Sequence, residues 1–215
     1  MGIRTIFRAI FDAVLPLKER RQRTETRSVS DIPLFLDTHG LLGTHIITIL
    51  DYRQTEVAEL IQSLKYDHSL HAAKLCAALL EDYLREELSY ARMFSSRPVF
   101  LIPVPLHKDR VRERGFNQVE KILRLLPSEF QNGSLSSILP LLVRVRATKQ
   151  QTRLSREERL QNVAGAFEVL NVSIPENACV FLIDDVVTTG ATLVEASKPL
   201  VRSKASVTLL ALARA

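Results

Sequence analysis

Val180-Phe181-Leu182-Ile183-Asp184-Asp185-Val186-Val187-Thr188-Thr189-Gly190-Ala191-Thr192 is the stretch whose reading decides the fold. Its first four residues are apolar, with Val, Phe and Ile among them, the composition of a strand buried on both faces of a parallel sheet. Two adjacent carboxylates, Asp184 and Asp185, stand at the carboxyl end of that run. A small, hydroxyl-rich turn follows from Thr188 to Thr192, and then Leu193, Val194, Ala196 and Leu200 recur at helical spacing. The pattern is a strand–loop–helix unit. In open α/β sheets, ligands sit at the carboxyl ends of such strands.

The turn has the chemistry of a phosphate cup. Small residues let the N–H groups of a helix N-terminus close on an anion, and the helix dipole favours negative charge there. The hydroxyls of Thr188, Thr189 and Thr192 add donors. Carboxylates beside the cup would repel a phosphate unless they hold something else, such as sugar hydroxyls or Mg²⁺. Phosphate in the cup and a diol on Asp184 and Asp185 together point to a ribose 5-phosphate.

A second stretch supports the first. Val99 to Val104 is an apolar strand that runs into Pro105, Leu106, His107, Lys108, Asp109 and Arg110. Pro103 and Pro105 restrict this loop, so it has less freedom to lose when a ligand binds. His107, Lys108, Arg110, Arg112 and Arg114 cluster cations at a strand's carboxyl end, which suits a pyrophosphate. Gly115-Phe116-Asn117-Gln118 is expected to open a helix with Phe116, Val119, Ile122, Leu123 and Leu126 inward.

The Asp184–Thr192 segment resembles the phosphoribosyl pyrophosphate (PRPP) signature of type I phosphoribosyltransferases. With residue frequencies of roughly 5–7% at six near-fixed positions, a chance match is on the order of 10⁻⁸ per start position. Further features are similar to one branch of that superfamily, the ComF (ComFC) family of competence-associated proteins. They are Tyr52 with Leu64-Lys65-Tyr66, Pro103 to His107, and Arg112-Glu113-Arg114-Gly115-Phe116-Asn117-Gln118. They continue through Arg146, Thr148, Gln151, Thr152, Leu154, Ser155, Arg159, Asn162 and Gly165-Ala166-Phe167 to the closing Ala211–Ala215. The likeness covers about residue 46 to the end.

The resemblance implies an open, mostly parallel twisted sheet with helices on both faces, over residues 46–215. Residues 1–45 would form an N-terminal helix and a linker or hood. It implies transfer of a phosphoribosyl group from Mg·PRPP to a nitrogen acceptor, with release of pyrophosphate. Asp184 and Asp185 would hold the ribose hydroxyls directly or through Mg²⁺, and Val186 and Thr188, Thr189, Gly190, Ala191 and Thr192 would line the PRPP site. Pro105, Leu106, His107, Lys108 and Arg110 would meet the pyrophosphate. Gln151, Thr152, Ser155 and Arg159 fall in a likeness of the flexible loop that closes over PRPP, and Asp184, Asp185, Lys108 and Arg159 are the catalytic candidates. The second reading is a PRPP- or nucleotide-binding accessory without turnover, partnered with DNA or with competence or recombination proteins. ComF relatives often carry a four-cysteine zinc module near the N-terminus. Here no cysteine precedes Cys76, so zinc is not expected.

Length and composition fit this reading. A chain of 215 residues, 46% hydrophobic and 25% charged, is that of one globular domain with appendages. No apolar run approaches the ~18 residues that span a bilayer, and Arg8 and Asp12 interrupt the opening stretch, so no signal peptide is expected. Cys76 and Cys179 have neither disulfide nor zinc spacing and read as buried thiols of a cytoplasmic protein. The net charge of +5 suits nucleic acid or a polyanionic substrate, and the lack of basic–aromatic interleaving favours the substrate.

The remaining chain reads as scaffold. Ile3, Phe7, Ile10, Phe11, Val14 and Leu15 share a helical face, read as a docking helix; a membrane-surface or partner-binding helix is the alternative. Lys18–Arg27 is charged without apolar periodicity and reads as a solvated linker, and 31–43 as irregular. Ile46–Leu50 is a strand, followed by a helix through Val57, Leu60, Ile61 and Leu64 that ends near Lys65-Tyr66, and by a second helix. His68 and His71 lack partners for a metal pattern and read as surface histidines. Ile138–Val145 is an edge or irregular strand because of Pro140. The polar segment 148–160 reads as a lid, and a last strand, Val207–Ala213, closes the sheet.

Overall fold

The computed structural model describes residues 17–132, 134–146, 156–170 and 174–215. The helix expected at 3–15 lies outside them. Helix α1 spans Leu17–Thr26, and strands β1 (Leu34–Leu41) and β2 (Thr44–Asp51) form a hairpin. Helices α2 (Thr55–Tyr66) and α3 (Leu70–Phe94) follow, then β3 (Val99–Pro103), α4 (Lys108–Arg114), α5 (Gln118–Leu123) and α6 (Ser128–Gln131). Next come β4 (Ser137–Ile138), β5 (Leu142–Arg144), α7 (Arg156–Val163) and β6 (Phe167–Val169). The chain ends in β7 (Cys179–Val187), α8 (Ala191–Arg202) and β8 (Ser206–Arg214).

Six strands form the main sheet in the order β1-β2-β8-β7-β3-β4. All neighbours are parallel except β1 against β2. The sheet is buried on both sides, so its strands alternate between two cores rather than between core and water. Phe181, Ile183, Leu210 and Leu212 face one core with Leu60 of α2, Leu80 of α3 and Ile122 of α5. Val180, Leu182, Leu209 and Ala211 face the other with Leu193, Ala196 and Leu200 of α8. Helices therefore cover both faces, as the sequence implies.

Several expectations are corrected. Lys18–Arg27 is no solvated linker but most of α1, because its charges are answered across the fold. Arg20, 2% exposed, donates to Gln62 Oε1 (3.0 Å) and to both oxygens of Asp67 (2.6 and 3.1 Å). Arg23 and Arg27 converge on Glu59 at 2.7 and 2.6 Å. Helical periodicity is missing from the sequence there because ion pairs, not apolar side chains, dock the helix. The irregular stretch at 31–43 is instead mostly β1, so the sheet begins at Leu34. The single strand expected over 138–145 is split at Leu139-Pro140: β4 joins the main sheet and β5 pairs antiparallel with β6. The last strand, β8, completes the sheet from its middle, between β2 and β7. Helix α5 starts at Gln118, two residues after Phe116, so Phe116 lies outside it. Asn117 caps it by accepting from the Val119 and Glu120 N–H groups, and Phe116 packs on His68 with ring centroids 5.1 Å apart. Cys179 is half-buried, whereas Cys76 is buried.

Candidate functional site

The connection β7–α8–β8 covers one face of the sheet, and β3–α5–β4 covers the other. Adjacent strands whose connections leave in opposite directions open a crevice at their carboxyl ends, and here those strands are β7 and β3. Both stretches singled out in the sequence empty into that crevice. Pro103 lies opposite Ile183 in the register, and the Val104 N–H donates to the Ile183 carbonyl at 2.8 Å. The loop of Pro105 and Leu106 is thereby fixed beside Asp184.

The Thr188–Thr192 turn leads from β7 into α8, with Gly190 at the helix N-terminus. Asp184, Val186, Val187 and the run Thr188–Leu193 line a small, open pocket at the N-terminus of α8. Gly190 caps that helix with φ of +77°, a left-handed conformation that favours glycine. A Cβ at this position would lie 2.7 Å from Ile46 Cδ1, the end of a flexible side chain, and 3.3 Å from Leu41 Cβ, so crowding adds to the demand that the left-handed backbone makes. Thr189 Oγ1 accepts from the Ala191 N–H at 3.4 Å. Thr188 stays exposed at the rim.

The acidic pair is strained electrostatically. Asp184 Oδ1 accepts the Asp185 N–H at 2.8 Å. Burial and then the neighbouring Asp185 charge push the Asp184 carboxyl up to about 7, against the opposing pull of that N–H, Lys65 and Arg144. Asp185 receives the Lys65 ammonium at 3.1 Å, with side chains 15% and 17% exposed. Burial works against the charge of Lys65, but the carboxylate of Asp185, helped by Tyr52 and Asp184, outweighs it and leaves the lysine above its ordinary value.

Lys65, which the sequence marks only as part of a family-like run, and Arg144, which it does not mark, stand beside the acidic pair. Lys65 ends α2, where a cation at a helix C-terminus is ordinary, and nothing nearby in sequence announces its carboxylate partner 120 residues on. Arg144 lies on β5 opposite Phe167 in the register, with its guanidinium 5.2 Å from the Phe167 ring centroid. Burial, then the like charge of Arg110, holds Arg144 below the usual arginine range, and Asp184 opposes them. Arg144 thus stands between the like charge of Arg110 and the carboxylate of Asp184.

The basic loop is more ordered than its sequence suggests. His107 is buried and caps α4 by accepting from the Asp109 N–H at 3.3 Å, with Asp109 Oδ2 3.1 Å from the same ring nitrogen. It acts as a brace for the loop. Lys108 is exposed and Arg110 half-buried. Of the lid candidates, Gln151, Thr152 and Ser155 lie outside the described residues, and Arg159 belongs to α7. The stem of that segment is tied down. Arg146 donates to the carbonyls of Asn162 (3.2 Å) and Ala164 (2.5 Å), and the Gly165 N–H donates to Glu195 Oε1 of α8 at 2.8 Å.

Among the described residues no three His, Cys, Asp or Glu side chains gather to hold a metal ion, and no helix is long and apolar enough to cross a membrane. The pair Asp184–Asp185 fits Mg²⁺ of another kind, since that ion keeps several waters and binds through one or two carboxylates plus substrate oxygens.

Fold and site define an α/β protein with a hydroxyl-rich turn at a helix N-terminus and a dicarboxylate at the switch point of a mostly parallel sheet. Comparison with known proteins places it further. The chain is 31% identical over 163 residues to the DNA utilization protein YhgH of Salmonella typhimurium, covering 75% of this chain and 67% of that protein. It is 33% identical over 143 residues to competence protein F of Haemophilus influenzae (65% and 59%), and 28% identical over 152 residues to competence protein ComFC of Streptococcus pneumoniae (71% and 60%). The chain belongs to this competence protein F (ComF) and YhgH family, and it spans about three fifths to two thirds of these relatives' length. No family model matches it. Among solved structures it is similar to adenine phosphoribosyltransferase from Saccharomyces cerevisiae, at 12% identity and a TM-score of 0.37 over 87% of this chain and 88% of that one. The Leishmania donovani enzyme is similar too, at 14% identity and a TM-score of 0.39 over 78% and 83%.

Proposed function

We propose that the protein binds Mg·PRPP and transfers its phosphoribosyl group to a nitrogen acceptor, releasing pyrophosphate. The observation that carries this reading is the adjacency, at one switch point, of the Thr188–Thr192 cup, the Asp184–Asp185 pair and the cations of the β3 loop and β5. Each part answers one part of the ligand. The cup takes the 5′-phosphate, the carboxylates take the ribose hydroxyls, and Lys108, Arg110 and Arg144 face the pyrophosphate.

Displacement at C1 passes through an oxocarbenium-like state in which negative charge grows on the leaving pyrophosphate, so fixed cations there lower the barrier. Mg²⁺, when bound, would add charge neutralisation on the pyrophosphate oxygens. The chain's own contribution is to orient the ribose between cup and carboxylates and to place Arg110 and Arg144 toward the leaving group.

The relatives' names support a second reading, a PRPP- or nucleotide-binding accessory in DNA uptake or utilization without turnover. One assay separates the two. Purified protein with Mg²⁺ and PRPP is screened against nitrogenous bases for pyrophosphate release. Base-dependent release supports the transferase. PRPP binding without release for any base, together with a DNA affinity that falls steeply with salt, supports the accessory.

A further inference from the structure

We infer that Lys65 is a ribose-binding residue, the third member of the site with Asp184 and Asp185. The inference rests on the proposed PRPP site and adds a residue that no part of the family signature in β7 and α8 supplies.

A carboxylate pair can only accept hydrogen bonds, whereas each sugar hydroxyl both donates and accepts. A diol held by Asp184 and Asp185 alone would therefore leave its own lone pairs unanswered in a half-buried site. The Lys65 ammonium supplies the missing donor. It stands 3.1 Å from Asp185 Oδ2, and an ammonium has three N–H groups, so donors remain for a hydroxyl seated on the same carboxylate. Its side chain is 17% exposed, which keeps it in reach of a ligand entering the crevice. A compact cation is also needed there on electrostatic grounds. Two adjacent carboxylates would otherwise face an anionic substrate, and the lysine offsets one of them.

The surrounding architecture holds that cation in place. Asp67, two residues beyond Lys65, is clamped by Arg20 of α1, and Gln62, three residues before it, accepts from Arg20 Nη1 at 3.0 Å. Gln62 Nε2 in turn donates to the Tyr52 hydroxyl at 3.5 Å. The last turn of α2 is thus braced on both sides by desolvated polar groups. Groups buried in this way are costly to bury, and they are arranged about the turn that aims Lys65 at Asp185. Rigid support of this kind is what a ligand-contacting side chain requires.

The test is calorimetric titration of the wild-type chain and of Lys65→Met with three probes: PRPP, ribose 5-phosphate and inorganic phosphate. The wild-type chain is expected to bind all three. Lys65→Met is expected to lose tenfold or more in affinity for PRPP and ribose 5-phosphate while inorganic phosphate, which occupies only the cup, changes less than twofold. If Lys65→Met fails to fold, Lys65→Ala, which also removes every donor and leaves room for water beside Asp185, carries the same expectation. Unchanged affinity for all three probes in a folded variant overturns the inference and leaves the PRPP site standing. An equal loss for all three overturns it as well, since it marks Lys65 as a prop of the fold. A wild-type chain that binds no PRPP overturns the site itself, and the inference with it.

Discussion

Replacing Asp184 by Asn tests the electrostatics of the site through stability, with no ligand needed. The Asp184 carboxyl is raised from 3.8 to about 7, first by burial and then by Asp185. Between those values the folded chain keeps a proton that the unfolded chain gives up, so stability falls as pH rises from about 4 to about 7 and levels off above. At 1.36 kcal/mol per pH unit, a shift of about three units sets a ceiling of about 4 kcal/mol. Solvent reaches the half-buried carboxylate, and about 2 kcal/mol is the expected share. The substituted asparagine keeps an oxygen for the Asp185 N–H, which donates to Asp184 Oδ1 at 2.8 Å in the wild-type chain. The expected result is that Asp184→Asn unfolds at higher denaturant than the wild-type chain at pH 8, with the difference vanishing near pH 4. Urea unfolding at pH 4, 6 and 8, read as midpoints and slopes, measures it. A variant less stable than wild type at pH 8, or one that retains the wild-type pH dependence, would refute the reasoning.

Gly190→Ala forces a left-handed residue to carry a Cβ that meets Ile46 and Leu41, at a cost of about 2–4 kcal/mol. Thermal unfolding should show a midpoint lower by roughly 5–10 °C in a chain of this size; an unchanged midpoint would contradict the close packing of the cup against β2. Arg20→Ala leaves Asp67, 6% exposed, with its charge uncompensated, and should cost about 3 kcal/mol in urea unfolding. A loss below about 1 kcal/mol would mean that α1 is not held by its ion pairs.

The strand, cup and acidic pair are legible in the sequence because local chemistry dictates them. Val180–Ile183 alternate between two apolar cores, and the Thr188–Thr192 turn needs small residues to close. The two-faced sheet is equally legible from its apolar strands. Helix α1 is not, because Arg20, Arg23 and Arg27 are docked by carboxylates 32 to 47 residues away and leave no apolar stripe. Strand β1 is hidden because it exposes Leu34, Phe35 and Leu36 on an edge and carries an irregularity in register before Asp37. Lys65 and Arg144 are invisible as site residues for a related reason. Their meaning comes from Asp185 and Asp184, which only the folded sheet brings near.

The crevice between β7 and β3 stands or falls as a Mg·PRPP site. Calorimetric titration of the purified chain with PRPP, with and without Mg²⁺, tests it most directly. Micromolar binding is expected, weaker when Mg²⁺ is withheld and lost in the Asp184→Asn, Asp185→Asn double variant. No heat of binding at millimolar PRPP with Mg²⁺ present, or full affinity in the folded double variant, would contradict it.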